Sequence, residues 1–217
     1  MTATAALSFV SDCLCNPFVA YSAKKYSDVL HTPEHFVEML LLVEDKRFPI
    51  HFGIDPVAVV RAFIFNLQGK PLQGASTIGQ QVYSIRQRSS GDYCSRRLMH
   101  KLQQSAWSLC HSTTASRASI LEEYVDTVYW GRSYHGLDRA TAGYFNKTRD
   151  SLSIAESFFL AERISAPNRV STRRISNLLE RAPVRISLHR NRARIDDVVA
   201  LYEKIYGGGK TWELLGK

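Results

Sequence analysis

Apolar residues recur at helical spacing along most of the chain, and period-two alternation is scarce. Thr32-Pro33 reads as an N-cap followed by proline at the first helical position, and Phe36, Met39, Leu40 and Val43 then recur three and four apart. That helix is expected to end near Glu44-Asp45. Asp55-Pro56 opens a second helix in the same way, with Gly69 as its stop, and Ser76 is placed to cap a third. Residues 95–111 predict a fourth, with Leu98, Leu102, Ala106 and Leu109 on its apolar side and Arg96, His100 and Gln104 four apart on another. A fifth covers about 116–130. Ser153 and Glu156 form a capping box ahead of Phe158, Phe159 and Leu160, and Pro167 ends that helix. One last helix is expected over 184–206. The pattern predicts a mainly α domain with little or no β-structure.

The 217 residues suit one domain, and 45% hydrophobic content is enough for a sizeable core. No run of about 20 apolar residues predicts a membrane-spanning helix, and the start lacks the basic region of a signal peptide. The formal net charge of +8 allows an anionic partner or a basic solvated surface. Seven arginines between positions 173 and 194 concentrate this charge and suggest peripheral contact with a membrane surface. No zinc module or basic-aromatic stacking motif accompanies it, so nucleic acid is not expected as a partner. Cys13 and Cys15 form a lone C-x-C without a second ligand pair, and Cys94 and Cys110 lie too far apart along one helix to pair.

Two clusters can carry chemistry. In Glu44-Asp45-Lys46-Arg47-Phe48-Pro49-Ile50-His51-Phe52-Gly53-Ile54-Asp55, two carboxylates end an apolar helix and a turn with His and Gly follows. Partial desolvation there would raise a carboxylate's pKa toward that of a useful base. In Gly74-Ala75-Ser76-Thr77-Ile78-Gly79-Gln80-Gln81, a glycine-bearing loop enters a helix N-terminus, where free N–H groups can meet a phosphate or a sugar oxygen. Taken alone, the first cluster reads first as an ordinary helix end and the second as a plain N-cap.

Together, EDxxFxxHxGxD and GxSTIxQQ resemble the first two motifs of glycosyltransferase family 51, the peptidoglycan transglycosylase domains of class A penicillin-binding proteins and monofunctional transglycosylases. Residues 120–147 are similar to the fourth motif and Leu152–Ala161 with Pro167 to the fifth. The resemblance covers roughly 32–170 and divides the chain into an N-terminal segment 1–31 without a transmembrane helix, a catalytic domain 32–170 and a basic helical segment 171–217. It implies a lysozyme-like helical fold and the polymerisation of lipid II-type disaccharides into glycan strands, with Glu44 as general base.

It further implies that Asp45, Phe48, His51, Ser76, Thr77, Gln80, Gln81, Arg96, Lys101, Arg117 and Glu122 contact substrate. A divalent cation, Mg or Mn, could assist at the pyrophosphate, although no protein metal site is read from the sequence. The work would take place at the outer face of the inner membrane. Three positions depart from the family pattern. Gln104 stands where the family has its second catalytic glutamate, Ser84 where it has a lysine, and Asp126 where it has an asparagine. They keep open a weakened enzyme or a glycan- or lipid II-binding relative. A lysozyme-like glycan-cleaving enzyme is the other alternative.

Overall fold

The computed structural model describes residues 18–68, 76–90 and 97–207. These form eleven α-helices: α1 (residues 18–30), α2 (Glu34–Glu44), α3 (Pro56–Leu67), α4 (Ile78–Ser90), α5 (Arg97–Thr114), α6 (Arg117–Thr127), α7 (Leu137–Phe145), α8 (Ile154–Ser165), α9 (Thr172–Leu179), α10 (Ala182–Arg190) and α11 (Ile195–Tyr206). A 3₁₀ turn spans Arg149–Ser151, and the only β-pairing among the described residues is two isolated bridges. The domain is mainly α and lysozyme-like, as the helical spacing and the motif resemblance imply.

Two helices buried on nearly every side form the centre, and their few charged side chains are paired there, Glu162 with Arg163 and Glu38 with Arg190. On α2, every residue from Phe36 to Leu42 is buried, and on α8 every residue from Ile154 to Ile164. They pack on each other, and Trp130, Tyr124 and Tyr202 complete the core. In α1, Val19, Ala23, Tyr26 and Leu30 face the same core. The α8 capping box forms as the sequence predicts: the Ser153 hydroxyl accepts from the Glu156 N–H, and the Glu156 carboxylate accepts from the Ser153 N–H.

Three local expectations are corrected. Pro33, not Thr32, is the N-cap of α2, and no side chain caps that helix. At α4 the cap is Thr77 rather than Ser76. The Thr77 hydroxyl accepts from the Gln80 N–H and the Gln80 side-chain carbonyl accepts from the Thr77 N–H, the reciprocal box that T-x-x-Q permits. The single helix expected over 184–206 is broken. Arg192 takes a left-handed φ of 58°, and the Asn191 and Ala193 N–H groups fold back onto Leu188 O. The reason is tertiary: α10 packs on α2 while α11 packs on α8, so the two apolar faces need different axes. Gly69, Gly74, Arg96, Cys13, Cys15 and Cys94 lie outside the described residues; Cys110 is exposed with a free thiol.

Candidate active site

The turn after α2 is built from buried ion pairs. Arg47 Nε donates to Asp55 at 2.9 and 2.8 Å, and Asp55 Oδ1 also accepts the Ala58 N–H at 3.1 Å, capping α3. Asp45 is buried. Its carboxylate accepts from His51 Nε2 at 3.0 Å and from the Ile78 N–H at 3.0 Å, which ties the end of α2 to the start of α4. Phe48 is buried with its ring edge-on to Tyr26 and His51. Arg117, from α6, donates to the backbone carbonyls of Phe48 and His51 and lies over the Phe52 ring.

Gly53 is where these parts meet. Its carbonyl accepts the Thr77 hydroxyl at 2.6 Å and the Ser108 hydroxyl at 2.8 Å. Its φ is +73°, and a Cβ there would fall 2.2 Å from the Ser108 backbone oxygen. Gly53→Ala is therefore expected to destabilise the chain by at least about 2 kcal/mol, since a strained left-handed residue alone costs of order 1–3 kcal/mol. Denaturant unfolding measures this.

Within that frame Glu44 is half-buried at the end of α2. Its Oε1 accepts from Ser165 Oγ at 2.6 Å and its Oε2 from Gln81 Nε2 at 3.1 Å. Burial raises its pKa above the ordinary carboxylate range, against the hydrogen bonds of Ser165 and Gln81 and the charge of Arg174, which lower it. The fully buried Tyr124 donates to Gln81 Oε1 at 2.8 Å and so turns the amide's NH₂ toward Glu44. Burial, then the charges of Glu44 and Asp45, hold the Tyr124 hydroxyl well above its usual pKa, so it remains a donor.

A cavity of about 1160 Å³ opens beside Gln81. Ser76, Ser84, Arg86, Gln104 and Glu123 line one side, and Asp126, Tyr129, Arg149, Ile164 and Pro167 lie on others. Gln104 is buried; its NH₂ donates to Ser84 Oγ, while its Oε1 has no hydrogen-bond partner. Two of the three departures from the family pattern thus touch each other. Lys101 Nζ donates to Ser76 Oγ at 2.8 Å, and Gln80 Nε2 to Ser105 Oγ at 2.9 Å.

Glu122 is exposed and lies away from the cavity lining. Its neighbour Glu123 lines the wall instead and holds Arg86 at 2.7 Å. The sequence showed no signal that separates these adjacent glutamates, nor any that singles out Ser165.

The carboxylates of the cavity do not fit a bound Mg or Mn. Glu123 is paired with Arg86, Asp126 and Asp138 with Arg149, and position 104 offers an amide. Among the described residues no three His, Cys, Asp or Glu side chains are grouped to hold a metal ion.

The transglycosylase family model matches residues 16–191 of the chain. The chain belongs to the transglycosylase family, the peptidoglycan glycosyltransferases of family 51. Penicillin-binding protein 1A of Aquifex aeolicus is 34% identical over 147 residues, 65% of this chain and 19% of that protein. Penicillin-binding protein 1A of Rickettsia prowazekii is 32% identical over 159 residues, 70% of the chain and 19% of the relative. That of Streptococcus pneumoniae is 31% identical over 137 residues, 63% of the chain and 19% of the relative. The chain thus spans about a fifth of the length of these penicillin-binding protein relatives.

Proposed function

We propose that this transglycosylase-family chain polymerises lipid II-type lipid-linked disaccharides into glycan strands, with Glu44 as general base. The observation that carries the reading is the Glu44 carboxylate, held with a raised pKa between Ser165 and Gln81 of the second motif, which itself lines the large cavity. The acceptor's GlcNAc 4-hydroxyl attacks the anomeric carbon of the donor's MurNAc. The new C–O bond forms as the bond to the undecaprenyl pyrophosphate breaks, the anomeric configuration inverts, and the hydroxyl proton passes to Glu44. Ser76, Lys101 and Gln104 contact the donor. The charge of the departing diphosphate is met by Arg88 and Arg139 on the cavity wall, beside the ion-paired Arg86 and Arg149. Asp45, Phe48, His51, Thr77, Gln80 and Arg117 act by positioning, because each is occupied by contacts within the protein.

No helix among the described residues is long and apolar enough to cross a membrane. We assign the chain a peripheral contact at the outer face of the inner membrane. The exposed Phe52 of the turn after α2, the exposed Val59 and Val60 of α3 and the exposed arginines of α9 and α10 support it.

The test is lipid II polymerisation by the purified chain, with and without EDTA. Glycan product in both arms is expected. Lipid II binding without product would favour the binding-only reading that Gln104 keeps open, and release of soluble muropeptides from purified sacculi would favour a cleaving enzyme.

A further inference from the structure

Both oxygens of Glu44 already have donors within the protein, and the two donors differ in what they can do next. The Gln81 amide nitrogen has no lone pair to offer, and Tyr124 fixes its orientation. Ser165 is different. Its hydroxyl gives its only hydrogen to Glu44 Oε1 and keeps acceptor capacity on the same oxygen. Ser165 is exposed and sits between Ile164 and Pro167, which line the cavity; Glu44 is half-buried, and neither it nor Ser165 is a lining residue. Of the two donors on Glu44 only Ser165 is exposed, so its Oγ is the one that an acceptor hydroxyl can reach from solvent.

We propose that Ser165 relays the acceptor's proton to Glu44. The acceptor O–H bond breaks as its hydrogen passes to Ser165 Oγ, and the original Ser165 hydrogen passes to Glu44 Oε1. The freed electron pair of the acceptor oxygen forms the glycosidic bond, and the anomeric C–O bond breaks with its pair going to the diphosphate. Ser165 ends as a hydroxyl, and Glu44 returns its proton to water after the product leaves. This relay rests on the reading of Glu44 as the base.

The experiment compares lipid II polymerisation by the full chain, Ser165→Ala, Ser165→Thr and Glu44→Gln, with rates measured in mixtures of H₂O and D₂O. Ser165→Ala is expected to lose roughly 10²-fold in kcat with KM nearly unchanged, the low end of what a positioned proton-transfer group supplies. Ser165→Thr, which restores the hydroxyl at an exposed helix end, is expected to recover most of that loss. The wild-type rate should curve with deuterium fraction, since two protons move in one step, and the Ala variant's should be linear. A Ser165→Ala variant with more than half of wild-type kcat, or a Thr variant as slow as the Ala variant, overturns the relay. If Glu44→Gln is inactive while Ser165→Ala is fully active, the relay alone fails. If Glu44→Gln is active, the base assignment fails with it.

Discussion

Glu44→Gln lowers lipid II polymerisation by about 10²–10⁴-fold, the contribution of a positioned general base, while lipid II binding survives. The replacement keeps the shape of the side chain and an oxygen that can still accept from one of its two donors, Ser165 or Gln81. It removes only the ability to take a proton. The pH profile follows from the same burial. Glu44 must be ionised to act, and its pKa is raised, so kcat/KM falls as the pH drops through a value above the ordinary carboxylate range. The Gln variant's residual rate lacks that limb.

Stability moves the other way. A carboxyl whose folded pKa is raised contributes most below its unfolded pKa and loses that contribution as the pH rises through the folded pKa. Above its folded pKa the ionised Glu44 is therefore a cost that Gln removes, and there the variant's Tm should be no lower than the wild type's. A variant that melts early would show instead that its lost activity reflects misfolding.

Asp45→Ala is expected to have the largest effect on stability. Its carboxylate takes the His51 Nε2–H and the Ile78 N–H in a buried setting. Each buried donor left without an acceptor costs about 1–3 kcal/mol, so the two together are a large fraction of a small domain's margin of about 5–15 kcal/mol. The urea midpoint should fall sharply. Polymerisation should fall with it even under conditions where the variant stays folded, because the start of α4, and with it Gln81, loses its tie to the end of α2. Asp45→Asn keeps one acceptor and should fall between. A midpoint for Asp45→Ala equal to the wild type's would show that the two motifs are held together by something else.

These residues also mark how far the linear pattern reaches. The apolar spacing of Phe36, Met39, Leu40 and Val43, the Ser153/Glu156 capping box and the Asp55 cap were legible because helix formation and capping are settled within a few residues. So was the end of α2 at Glu44, and hence where the candidate base stands. Other features depend on which faces of distant helices meet. Ser165 reaches Glu44 across 121 residues, and Gln104 reaches Ser84 across 20. Glu122 and Glu123 are equivalent in sequence; the packing of α6 on α4 turns only the second toward the cavity.

The break between α10 and α11 has the same origin, since Leu188 and Val198 read as one apolar face until α2 and α8 claim them separately. The linear pattern was enough for most of the helices, for the Asp55 cap and the Ser153/Glu156 capping box, and for which carboxylate ends α2. Only the tertiary structure decided what holds that carboxylate, because side-chain partners across helices are selected by how whole helices pack, and that geometry is absent from any local pattern.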